Sequence, residues 1–103
     1  MNRSFRPVKP GFTQRVSATS TSASATFPSD VVTQARDLYL LNVGPSVCFV
    51  RLGNGTTTAT ANDMPIPTNV PIYLDKAGQD TLAVITAGTD TAALYVTPGN
   101  WNS

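Results

Sequence analysis

The side chains of this chain best suited to chemistry are six aspartates and one cysteine; there is no histidine and no glutamate. Without histidine, the ordinary general base at neutral pH and the commonest metal ligand are both missing. A single cysteine cannot form an intrachain disulfide, nor can it build a zinc site from the usual nitrogen and sulfur ligands. Cys48 sits between Val47 and Phe49 in an apolar run, the setting of a small core hydrophobe rather than of a nucleophile. Asp30, Asp37, Asp63, Asp75, Asp80 and Asp90 are scattered about one per expected loop, where Asp commonly closes turns. Asp75 and Asp80 could together touch a calcium ion, but their spacing matches no calcium loop. Gly53-Asn54-Gly55 marks a turn, and no helix follows it as a phosphate-binding loop requires. The expectation is a non-enzymatic protein with no catalytic residue, no metal and no cofactor.

Binding is the remaining chemistry, and the charge is unevenly placed for it. Residues 1–29 carry Arg3, Arg6, Lys9 and Arg15 with no acid, so their formal charge is +4. Residues 30–103 carry three basic residues and six aspartates, a charge of −3, which together give the net +1. Four cations interleaved with Phe5 and Phe12 could follow phosphates. They are few, however, and no nucleic-acid-binding fold accompanies them. A basic arm lying on an acidic partner surface is the better reading. For sugars, Trp101 flanked by Asn100 and Asn102 is the one cluster of suitable type.

The elements that position these residues are strands. The chain has 103 residues, room for one domain, and charged residues make up 13% of it, about half the usual share of ~25%. Thr, Ser, Ala and Val take their place, which suits a pleated surface better than a helix. Leu38–Val43 and Val47–Leu52 flank Gly44-Pro45-Ser46 and read as a hairpin. Thr56–Ala61 reads as a short strand and Asn62–Pro67 as a loop or edge. Val70–Leu74 reads as a strand near an edge. Thr81–Thr86 and Ala92–Thr97 read as a second hairpin, ended by Pro98-Gly99. Turn signals at this spacing suit a small β-sandwich or a jelly-roll-like barrel. Residues 1–29 read as an extended N-terminal arm and residues 30–103 as the sandwich body. Val16–Phe27, nearly all small hydroxyl and methyl side chains, reads as an edge strand or a linker that only a neighbouring surface orders. No run is apolar and long enough to span a membrane, and no apolar stretch follows the first basic residues as in a signal peptide. The chain is therefore expected to remain in the cytoplasm where it is made.

Several strands are apolar on both faces. Leu82 and Val84 share a side opposite Ala83 and Ile85; Leu94 and Val96 lie opposite Tyr95; Ile72 and Leu74 lie opposite Tyr73; Cys48 and Val50 lie opposite Phe49. A lone sandwich keeps polar outer faces, so the second apolar side points to covering by another subunit. The candidate interface comprises Arg3, Arg6, Lys9 and Arg15 of the arm together with Phe49, Tyr73, Ile85, Tyr95 and Trp101. A homo-oligomer is expected, a trimer before a dimer.

One further signal comes from resemblance. The segments Val50–Gly53 (VRLG), Ala59–Pro67 (ATANDMPIP), Asp80–Ile85 (DTLAVI) and Leu94–Gly99 (LYVTPG) follow one another in an order that resembles small β-structured virion proteins of tailed phages and prophages. The resemblance covers about residues 36–101, and the loop and the closing motif are its most specific parts. It implies a virion role: capsid decoration (cement) on the major capsid protein, or a neck, head–tail or tail component. It supplies no catalytic residues. A carbohydrate- or host-surface-binding β module is the alternative from another class.

Overall fold

The computed structural model describes residues 4–9 and 11–102, with side chains for 5–9 and 11–100. The described residues form nine strands and one short helix: β1 (Ser4–Pro7), β2 (Gln14–Ala18), β3 (Ala23–Thr26), α1 (Ser29–Gln34), β4 (Asp37–Pro45), β5 (Cys48–Gly53), β6 (Met64–Ile66), β7 (Ile72–Asp75), β8 (Thr81–Ile85) and β9 (Ala92–Asn102). They make two antiparallel sheets. The first runs β1-β9-β4-β7, with β2 beside β1 on the same edge of β9; the second runs β3-β8-β5-β6. The all-β sandwich expected from composition is the fold.

The pairing scheme is regular. β2 pairs with β9, β3 with β8, β4 with β7 and β5 with β6, the first of the set with the last and so inward. A long hairpin folded over on itself gives this order, and lateral pairs β4·β9 and β5·β8 close the two sheets. Among the described strands this winding is the jelly-roll connectivity.

That winding corrects both expected hairpins. β4 and β5 lie in different sheets, and so do β8 and β9. The glycine-containing loops between them reverse the chain, but they also carry it across the sandwich, and a turn signal does not say which. Thr56–Ala61 forms no strand, whereas Met64–Ile66 is an edge strand as Asn62–Pro67 allowed. Pro98-Gly99 does not end β9. Pro98, lacking an N–H, falls between the last residue that β2 pairs, Val96, and the first that β1 pairs, Gly99. Gly99 has no Cβ, which leaves room for the Arg6 carbonyl and the Phe5 ring to lie against it.

Among the described residues, the segment read from sequence as an extended N-terminal arm is paired into the two sheets. β1 and β2 lie on the edge of β9, and β3 lies on the edge of β8. Small side chains explain this. Val16, Ala18 and Ala25 are buried beneath the sandwich while Ser17, Ser24 and Thr26 face out, a period of two that low hydrophobicity concealed. Arg3 lies outside the described residues.

Alternation fixes the core. Leu38, Leu40, Cys48, Val50, Ile66, Leu82, Val84, Leu94 and Val96 all point between the sheets and are buried. Val31 of α1 and Phe27 before it close one end. The opposite corner is closed by a polar side chain. Asn42, fully buried, donates through Nδ2 to the carbonyls of Ser46 (2.8 Å) and Ile66 (3.1 Å), and its Oδ1 accepts the N–H of Gly44 (2.9 Å). Its own carbonyl accepts the N–H of Asn69 at 2.7 Å. Asn42 thus ties the β4–β5 corner to the β6–β7 connection.

Candidate docking faces

The interface residues expected from sequence fall on two opposite sides of the molecule. Tyr73 and Tyr95 lie on the outer face of the first sheet; Phe49 and Ile85 lie on the outer face of the second, directly opposite each other across β5 and β8. These four side chains therefore belong to two faces, not one.

The first face is built by β2, β9, β4 and β7. Tyr39 is paired with Tyr73 on one side and Thr97 on the other; Leu41 is paired with Tyr95, and Tyr95 with Arg15. Val43 continues the row and is 44% exposed, as is Tyr73. At one end Phe5, Tyr39 and Tyr73 form a triangle of tilted rings with centroids 5.3–5.8 Å apart. Such offset contacts add about 0.5–1.5 kcal/mol per pair beyond burial, and here they fasten β1 onto the sheet. From sequence Phe5 reads only as part of the basic arm, because ring contacts across three strands have no local signature.

Charges sit at the corners of this face. Asp75 follows Tyr73 at the far end of β7, where its Oδ1 accepts the N–H of Ala77 at 2.8 Å. Arg15 lies at the near edge, its guanidinium donating to Ser17 Oγ at 3.2 Å. Beyond Arg15 a shallow depression of about 260 Å³ is lined by Ser17, Thr19, Gly44, Pro45 and Thr91 among others. Arg6 is exposed on β1, and Lys9 caps the Phe12 ring at 5.2 Å from its centroid. Arg6, Lys9 and Arg15 therefore sit on different parts of the surface. The backbone of Trp101 pairs with Phe5; its side chain lies outside what is described. Asn100, its expected companion for sugars, is engaged elsewhere. Its Oδ1 accepts the N–H of Arg36 and its Nδ2 donates to the Gln34 carbonyl, pinning the end of α1 to β9.

The second face centres on Phe49, Ile85 and Pro65, with exposed Val47 at its end. Arg51 and Asp63 form an ion pair at 3.0 Å along its rim. The Thr60 N–H and then Arg51 hold the Asp63 carboxyl below the usual carboxylate range.

Two further ionisable groups, Lys76 and Asp80, lie at the β7–β8 connection, apart from both faces. Lys76 is fully covered; its Nζ donates to the Val32 carbonyl at 3.1 Å, and burial lowers its pKa against the opposing pull of Asp75 and Asp80. It braces α1 against the β7–β8 turn. Asp80 accepts from Thr81 Oγ1 and the Gly55 N–H, which hold its pKa below the ordinary value. Among the described residues no group of three Cys or Asp side chains could hold a metal ion. No helix among them is long and apolar enough to cross a membrane.

Cys48 is buried in the core, and burial pushes its thiol up to about 11 from 9.0. The unfolded chain loses this proton near pH 9 while the folded chain keeps it, so stability falls as pH rises from about 9 to 11. The expected loss is about 2–3 kcal/mol at ~1.4 kcal/mol per pKa unit. Denaturant titrations of wild type and Cys48→Ala across this range isolate the effect, since other alkaline groups act on both. Equal slopes for the two proteins would refute it.

Together these features define a class: a small jelly-roll sandwich with two apolar outer faces. Compared with known proteins the chain has no match, for no family model, no curated protein and no solved structure is similar to it.

Proposed function

We propose that this protein is a structural component of a bacteriophage virion, a decoration protein that binds and stabilises the major capsid shell. The observation that carries the reading is the presence of two separate apolar faces on one small sandwich. A clamp between shell subunits needs two contact surfaces, one for the shell and one for its own neighbours, and a free-standing sandwich needs neither. The motif order over residues 36–101 supplies the virion context. Jelly-roll winding by itself supports many functions and adds little. The rings of Phe5, Tyr39 and Tyr73 pack against one another at a tilt and present no flat open platform, which favours protein docking over sugar stacking.

Copy number tests the proposal. Quantitative protein analysis of purified particles is expected to find this chain in numbers comparable to the shell subunit. A ring-sized handful of copies would assign it to the neck or tail instead, and its absence from particles would remove the virion reading. On decorated particles, Phe49→Asp on the second face is expected to lower occupancy at least about tenfold, because a charge would be buried without a partner.

A further inference from the structure

We infer that the outer face of the first sheet pairs with the same face of a second copy of this chain, about a two-fold axis. The face is self-complementary. Arg15 and Asp75 occupy diagonally opposite corners, three strands and four residues apart in register. At ~4.8 Å per strand and ~3.4 Å per residue they are about 20 Å apart, too far to meet within one chain. A two-fold axis lying in the face, perpendicular to that diagonal and through its midpoint, exchanges the corners. Each Arg15 then meets the second copy's Asp75, twice over, as an isologous contact demands.

The same operation decides what fills the middle. It carries Tyr95 of one copy onto Tyr73 of the other and places Tyr39 beside the axis, so the aromatic side chains meet one another between the two ion pairs. The strands of the two faces cross near a right angle, one of the two packings that sheets adopt. Tyr73 and Val43 are each 44% exposed in the single chain, and pairing brings Tyr73 under the second copy. The formal net charge of +1 offers little repulsion to self-association. Four strands by seven residues present on the order of 450 Å² of face, below the ~800 Å² per partner of a standard interface. The pair is therefore a weak one, formed at high concentration and reinforced where many copies are held side by side. It deepens the decoration reading, but it is a property of the purified chain and holds or fails without any particle.

Sedimentation equilibrium of the full chain from micromolar to millimolar concentration reads the pair directly. Wild type is expected to move from monomer to dimer over this range and to weaken as salt rises. Arg15→Asp alone and Asp75→Lys alone are each expected to weaken pairing at least about tenfold. The double variant, with the charges exchanged, is expected to return to within about threefold of wild type. Circular dichroism checks that each variant keeps its fold, and Tyr95→Asp serves as a second probe should Asp75→Lys unfold the turn. A chain that stays monomeric throughout, a trimer in place of the dimer, or a double variant no better than the singles overturns the inference.

Discussion

Deleting residues 1–27 is expected to prevent the sandwich from forming, whereas deleting residues 1–8 is expected to leave it folded. The longer deletion removes β2 and β3 and strips a paired edge from each sheet: β9 loses Ala92–Val96 pairing and β8 loses Thr81–Val84 pairing. It also removes Val16, Ala18, Ala25 and Phe27 from the core. Burying Val16 and Phe27 contributes about 1.5–3 kcal/mol each, and the edge hydrogen bonds add to that, against a total stability of about 5–15 kcal/mol for a domain of this kind. The shorter deletion removes β1 and the Phe5 ring, whose loss costs about 1–3 kcal/mol. Far-ultraviolet circular dichroism with thermal unfolding distinguishes the two. A cooperative transition and unchanged strand content in the longer deletion would show that the first three strands are dispensable.

Replacing Asn42 with leucine, close to it in volume, is expected to cost about 3–5 kcal/mol. The change takes the side-chain partner from three backbone groups, the buried carbonyl of Ile66 and the part-buried carbonyl of Ser46 and N–H of Gly44. Each buried group left without a partner costs about 1–3 kcal/mol, and the apolar gain of leucine offsets only part of that. At about 4–8 °C per kcal/mol for a domain of this size, the melting temperature should fall by more than about 12 °C. Asn42→Asp keeps the acceptor for Gly44 but turns the donor into a second acceptor facing two carbonyls, so it should be at least as harmful. A leucine variant within about 1 kcal/mol of wild type in denaturant titration would mean that water replaces the amide at this corner.

The class of fold was legible because side-chain alternation is a local property. Leu82 and Val84, Leu94 and Val96, Cys48 and Val50 each repeat every second residue, and each pair is buried as its spacing implied. Pairing was not legible. Gly44-Pro45-Ser46 announces a reversal, yet the two strands it joins pair with β7, β9, β6 and β8 rather than with each other. That choice is made by residues as far apart as Asp37 and Gly99, and no short window holds it. The N-terminal strands were hidden for a different reason. Alanine and serine are close in bulk, so the inward and outward positions of β3 give little contrast until a neighbouring edge distinguishes them. The docking faces were half legible: the outward residues were identified strand by strand, but which of them share a surface depends on the strand order.

Because β2 seeks β9 and β3 seeks β8, early strands of this fold wait for late ones. Until Ala92–Asn102 emerges, β2 has no partner and β4 lacks the neighbour that separates it from that edge. The nascent chain can close the second sheet, β3-β8-β5-β6, and pair β4 with β7 before β9 appears, but the first sheet stays open along the β9 position until β9 is made. Non-local closure of this kind is slow, on the order of milliseconds to seconds, and through that interval open strand edges and apolar faces are on view together. The rich supply of Ser, Thr and Pro along β1–β3 and β6, which makes those segments poor at pairing with strangers, is then a safeguard for the wait as much as a feature of the finished sheet.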